Sequence, residues 1–154
     1  MVSNFSYLGV FIVCLVGAST IILPLPIDIF IFGIGALLNP YAVGIIAGFG
    51  ASIGELTSYG VGFAGRKIYE KERKKPSKRF SKFEKIFKKY GFWSIPFFAF
   101  IPLTPVDIVG LFAGSVKYSP EKFFIGVLIG KIPRYLLIAL AGHYSIIWVT
   151  NIFY

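Results

Sequence analysis

The chain has 154 residues, 56% of them hydrophobic, 18% aromatic and only 15% charged, with a mean hydropathy of +0.75. Soluble domains carry about a quarter charged residues, so the composition excludes an ordinary globular protein and predicts a single membrane domain spanning residues 1–154. The formal charge of +9 does not mark a nucleic-acid binder, because residues 66–89 hold 12 Lys/Arg and 3 Glu and so carry all of it.

Residues 5–23 hold no charge and are long enough for a first span, which takes about 20 helical residues. No Lys or Arg precedes Arg66, so the start reads as an uncleaved span rather than a signal peptide. The single cysteine, Cys14, lies in this apolar run and reads as a packing residue. Pro24 and Pro26 break the run, and residues 24–40, closing at Asn39-Pro40, are too short to cross and read as a re-entrant hairpin. Residues 42–64 form a second span with one charge, Glu55. Its small residues, Gly44, Gly48, Gly50, Gly54 and Gly62 with Ala47, Ala51 and Ser58, predict close helix packing.

Residues 66–90 are the basic stretch, placed in the cytoplasm by the positive-inside bias. Phe80, Phe83, Phe87 and Tyr90 recur there at helical spacing with lysines between them, which predicts an amphipathic helix in the headgroup plane over anionic lipid. Residues 92–118 are apolar but interrupted by Pro96, Pro102 and Pro105, and carry Asp107; they read as a second re-entrant hairpin. Pro120 opens a kinked span and C-terminal segment, residues 120–154, containing Lys131, Pro133 and Arg134. Trp93, Tyr144, Trp148 and Tyr154 suit an interfacial aromatic belt, and His143 reads as interfacial with them.

The chain repeats itself. Pro26-Ile-Asp28 returns as Pro105-Val-Asp107 at an offset of 79, as does Gly35 at Gly114, while Pro40/Pro120, Gly50/Gly130 and Gly62/Gly142 are offset by 80. Each copy is a break, an acid, a short arm, a turn and a span. Two copies entering from opposite sides would form the inverted repeat of a transporter with a midplane site. The predicted fold is therefore an all-α polytopic membrane protein, an inverted repeat of re-entrant hairpin plus transmembrane helix.

Five ionisable residues fall inside apolar segments: Asp28, Glu55, Asp107, Lys131 and Arg134. Each costs roughly 2.5–3.5 kcal/mol at a lipid-exposed helix centre, so they must pair or line a wet cavity. Three acids against two bases leave one carboxylate without a fixed cation. Asp28, Glu55 and Asp107 are the candidate proton or ion pathway. Lys131 and Arg134, three apart on one helix face, are the candidate binders of a phosphate headgroup. Walker, G-x-S-x-G and HExxH motifs are absent from the sequence, and no metal-ligand cluster surrounds His143. Neither an enzyme nor a cofactor is expected.

Pro24-Leu-Pro-Ile-Asp28, Gly54-Glu55-x-x-x-Tyr59 with Gly65-Arg66, Phe97-x-x-Phe-Ile-Pro102, Ala113-Gly114 and Gly130-Lys131-x-x-Arg134-Tyr135 together resemble the DedA/VTT family (SNARE-associated Golgi protein family), over about residues 20–145. The resemblance implies two inverted re-entrant hairpins, with Asp28 and Glu55 at the two acidic positions of the first half. It also implies movement of phospholipids or polyprenyl phosphates, proton-coupled in bacterial members and by scrambling in eukaryotic relatives. Many bacterial members carry two arginines around the second hairpin where this chain has Ala99 and Pro105, which sets it nearer the scramblase-like branch.

The expected function is thus translocation of a phospholipid or polyprenyl-phosphate headgroup across the cell membrane by a multi-pass protein. Its partners are membrane lipids and protons, not nucleic acid, and its few spans point to a homodimer on geometric grounds. Two rivals remain: a proton-coupled antiporter of small cations using the same carboxylates, and a non-transporting membrane scaffold acting through the basic stretch.

Overall fold

The computed structural model describes residues 2–20, 27–71, 78–101 and 106–153. Pro24, Pro26, Pro102, Pro105, Tyr154 and residues 72–77 of the basic stretch lie outside them. The described residues form six helices and no strand: α1 (Val2–Ser19), α2 (Ile27–Leu37), α3 (Pro40–Lys71), α4 (Lys78–Phe100), α5 (Val106–Ser115) and α6 (Pro120–Phe153).

Local chemistry sets the helix ends. At the end of α1 the Ser19 and Thr20 hydroxyls donate to the Leu15 and Gly17 carbonyls, satisfying acceptors that a terminal turn leaves open. Asn39 caps α3: its side-chain oxygen accepts from the backbone N–H of Tyr41 and Ala42, at 3.0 and 3.3 Å, and Pro40 fills the first helical position. Ser119 and Pro120 open α6 in the same way. The end of α5 is a Schellman turn, in which Tyr118 N–H donates to the Ala113 carbonyl and Lys117 N–H to that of Gly114. Lys117 takes the left-handed position with φ 54°, a place usually held by glycine.

The helices fall into two copies of three. Their lengths are 18, 11 and 32 residues in the first and 23, 10 and 34 in the second. The second set starts 76, 79 and 80 residues after the first. In each copy the first two helices pack together, α1 on α2 and α4 on α5.

The chain divides into two compact units, one of residues 1–54 with 131–154 and one of residues 55–130. Each has its own core: Cys14, Ile31, Val43 and Ala139 are among the buried residues of the first, and Tyr59, Ile95, Ala113 and Phe123 among those of the second. Glycines let backbones touch in both. In the first unit Gly35 lies on Ala139 and Gly142 on the Phe32 carbonyl; in the second Gly114 lies on the Tyr59 carbonyl and Gly62 on that of Leu111. These are the same two contacts displaced by 79 residues on the short helix and 80 on the long one. Gly44 and Gly48 lie against α6, and Gly50 and Gly54 against α1, so the predicted packing role of the α3 glycines holds.

Two polarity changes that read as element boundaries are not breaks in the backbone. The helix containing the 42–64 segment continues to Lys71, and α4 runs without interruption from Lys78 through Tyr90 and Pro96 to Phe100. The expected aromatic stripe of the amphipathic segment also differs in use. Phe87 packs edge-on against Phe112 and Tyr118, at 5.1 and 5.5 Å between ring centroids, and so joins the core of the second unit instead of facing lipid. Side chains of Phe80 and Phe83 lie outside what the structure describes.

Among the described residues one helix stretch is long and apolar enough to cross a membrane, Pro120–Trp148, of 29 residues, and it runs through Pro133 unbroken. Ser6–Ser19, Ile27–Leu37 and Val106–Ser115 are shorter apolar helices.

Candidate functional site

The five charges placed inside apolar segments divide between the units. In the first, Asp28 stands in the first turn of α2, where a carboxylate suits the positive end of the helix dipole. The Arg134 side chain of α6 donates from Nη2 to Asp28 Oδ2 at 2.5 Å, an ion pair spanning 106 residues of sequence. Arg134 is 9% exposed and Lys131, one turn earlier, is 3% exposed, so the two cations share a buried face of α6. The other Asp28 oxygen, Oδ1, is buried and accepts no hydrogen bond from any described residue.

In the second unit Asp107 holds the equivalent position in the first turn of α5. Its partner is neutral: the Ser58 hydroxyl of α3 donates to Asp107 Oδ1 at 2.6 Å, and no cation of a described residue lies in ion-pair range of it. Ser58 is fully buried, and Glu55, three residues earlier on α3, is 4% exposed. Tyr59 beside them donates its hydroxyl to the Tyr118 carbonyl and stacks near Phe63 and Phe123, which fixes this turn of α3.

Asp28 and Arg134 therefore form an ion pair between two apolar segments, with the carboxylate half-buried. Asp107 is a carboxylate whose partner is a hydroxyl. Ser58 is the residue that sequence reasoning missed, because a serine in a glycine-rich helix reads as a small packing residue. Its one distinguishing signal is its place three residues after Glu55, on the same face.

At the basic end of the second unit, Arg66 bridges Glu70 at 2.8 Å and approaches Glu84 at 3.8 Å, Lys88 bonds Glu84 at 2.7 Å, and Lys117 bonds Glu70 at 2.5 Å. The hydrogen bond from Lys117, and next that from Arg66, hold the Glu70 carboxyl below its ordinary value. Lys67, Lys71, Lys82, Lys85 and Lys89 are exposed around this network, and Trp93 further along α4 is 78% exposed.

Comparison with known families gives one clear result. The family model described as VTT domain matches residues 25–144, four-fifths of the chain. The chain belongs to the VTT-domain family, the DedA/SNARE-associated Golgi family that its motifs resemble. It is accordingly a helical membrane protein of a transport-related family. No curated protein and no solved structure matches it.

Proposed function

We propose that this chain is a multi-pass cell-membrane protein that moves the phosphate-bearing headgroup of a phospholipid or polyprenyl phosphate across the bilayer. It is not an enzyme in this reading, and it belongs with the scramblase-like branch of its family. The 11- and 10-residue helices α2 and α5 are about half the length a span requires, which suits arms of re-entrant hairpins. The repeated helix order suits two copies of inverted orientation, with the basic stretch in the cytoplasm.

The observation that carries the reading is the Asp28–Arg134 pair, set in apolar helices with the guanidinium buried and the carboxylate half-buried, and assembled from the two halves of the sequence. A guanidinium presents several donors in a plane, and a phosphate is a better bidentate partner than one carboxylate oxygen. A headgroup arriving at Arg134, with Lys131 on the same face, exchanges for Asp28, and the displaced carboxylate becomes a proton acceptor. Glu55 and Asp107 are the carboxylates of the second unit that this reading assigns to proton or ion movement. Coupling to protons follows if that exchange is obligatory, and passive scrambling if it is not.

The test is made in liposomes holding a headgroup-labelled lipid, with an impermeant quencher outside. Wild-type protein is expected to expose more than the outer half of the label, and Arg134→Gln and Glu55→Gln to lose this. Unchanged translocation in both variants overturns the site assignment. The antiporter reading draws on Asp107 and its neutral partner. It predicts instead that Asp107→Asn abolishes cation flux while Arg134→Gln affects only stability. The scaffold reading predicts that removal of the basic stretch is the severe lesion.

A further inference from the structure

Away from the buried charges, a cleft of about 510 Å³ opens in the first unit where the α2–α3 junction meets α6. Its deep part is apolar: Pro40 is buried and Leu140 half-buried. Its polar groups come from Asn39, Tyr41, His143 and Tyr144, of which the tyrosines are 59% and 60% exposed. The Asn39 oxygen is already engaged in capping α3, so that side chain has only its amide N–H groups to offer a ligand.

Two features define what fits. The first is depth. Leu140, His143 and Tyr144 lie in the last two turns or so of the apolar stretch that ends at Trp148, itself 68% exposed. Aromatic residues at the end of an apolar helix mark the membrane–water boundary, so the cleft lies where a lipid passes from polar head to acyl tail. The second is charge. No Lys, Arg, Asp or Glu lines the cleft, so a phosphate entering it would lose water without gaining a cation. Two phenol hydroxyls, an imidazole and a carboxamide instead complement an uncharged hydroxyl group, and the volume is that of an ordinary small-molecule site.

We propose that this cleft binds a neutral, hydroxyl-bearing glycerolipid, a diacylglycerol in chemical class, with its hydroxyl among Tyr41, His143 and Tyr144 and an acyl chain along Leu140. The site is separate from the Asp28–Arg134 pair. Its ligand is held at the protein surface and is not the translocated lipid.

Photo-crosslinking tests this on the whole chain reconstituted in phosphatidylcholine vesicles with a diazirine-bearing diacylglycerol. Adducts are expected to concentrate on the peptides containing Tyr41 and Tyr144, above those on the exposed Trp93 face of α4. Unlabelled dioleoylglycerol should compete and dioleoyl phosphatidylglycerol should not. Leu140→Trp, which fills the cleft, should cut the yield there. The pair His143→Ala with Tyr144→Phe should cut it about five- to thirtyfold, the size that loss of one to two hydrogen bonds gives, and keeps the test open should the tryptophan variant not fold. Even labelling of all exposed helices, equal competition by phosphatidylglycerol, or full yield in the rim variant overturns the proposal.

Discussion

Asp28 and Asp107 stand at the second residue of the two short helices, 79 positions apart, and the helices around them cross on equivalent glycines. Their partners nevertheless differ in kind: a guanidinium for Asp28 and a hydroxyl for Asp107. Backbone contact and charge have thus followed separate paths in the two halves. Each crossing needs only the absence of a side chain at two places, which any repeat must keep to remain packed. The partner of the acid is one residue on the facing helix and can change while that packing stays. Arg134 also stands four residues earlier in its repeat than Ser58 does in its own, about one turn, so the longer side chain reaches the same acid from a turn away.

The sharpest way to separate the halves is through those partners. Arg134→Gln should destabilise the protein by about 2–4 kcal/mol, between the costs of breaking an exposed and a fully buried pair, because a half-buried carboxylate then loses its cation. Denaturant unfolding in detergent measures this, and Asp28→Asn in the same chain should restore part of the loss. A cost below about 1 kcal/mol would mean that the pair is no stronger than an exposed one.

The shared part of the comparison comes next. Gly35→Val and Gly114→Val each drive a side chain into the facing helix, at Ala139 and Tyr59 respectively, and should each cost about 1–3 kcal/mol or more. Closely similar losses are expected. A difference larger than about 2 kcal/mol would break the structural equivalence of the two crossings.

Ser58→Ala should be milder than Arg134→Gln, about 1 kcal/mol, since it removes one neutral hydrogen bond. Thermal unfolding of the two variants side by side reads the contrast directly, and equal losses would mean that Asp107 is as tightly held as Asp28.

The smallest effects belong to the turn after α5. Lys117→Gly relieves a left-handed lysine, a gain of about 1 kcal/mol, and loses an exposed ion pair contributing at most about 1 kcal/mol. A net change within about 1 kcal/mol is expected from these two opposing effects. Glu70 adds a pH signature. Its carboxyl is held below the ordinary 4.5, chiefly by Lys117, so its contribution is complete above that value and fades as the pH falls through the lowered one. Acid titration of the melting temperature should therefore show a shallower fall below pH 4.5 in Glu70→Gln than in wild type.

Much of this was legible in the sequence because membranes simplify the code. Helix is the default for apolar runs, Asn39-Pro40 announced the turn before α3, and the glycine spacing announced close packing. The continuity of α4 was not legible. The change from lysines to aromatics near Tyr90 reports a change of surroundings, whereas the backbone hydrogen bonds of a helix run on regardless. Phe87 was misplaced for a related reason: helical spacing shows which residues share a face but not whether that face meets lipid or α5. Ser58 escaped because its partner lies 49 residues away, where no local pattern can point. The left-handed position at Lys117 escaped because its residue is not glycine, the signal by which such helix ends are found.

The division of the chain into units also bears on how the protein is made. The second unit is one uninterrupted stretch, residues 55–130, and can assemble as soon as it leaves the ribosome. The first is split and needs residues 131–154 before it can close. Asp28 is synthesised 106 residues ahead of Arg134. At about 5–20 residues per second it waits roughly 5–20 s for its cation. During that interval the carboxylate has to remain at the bilayer edge or be sheltered by the insertion machinery.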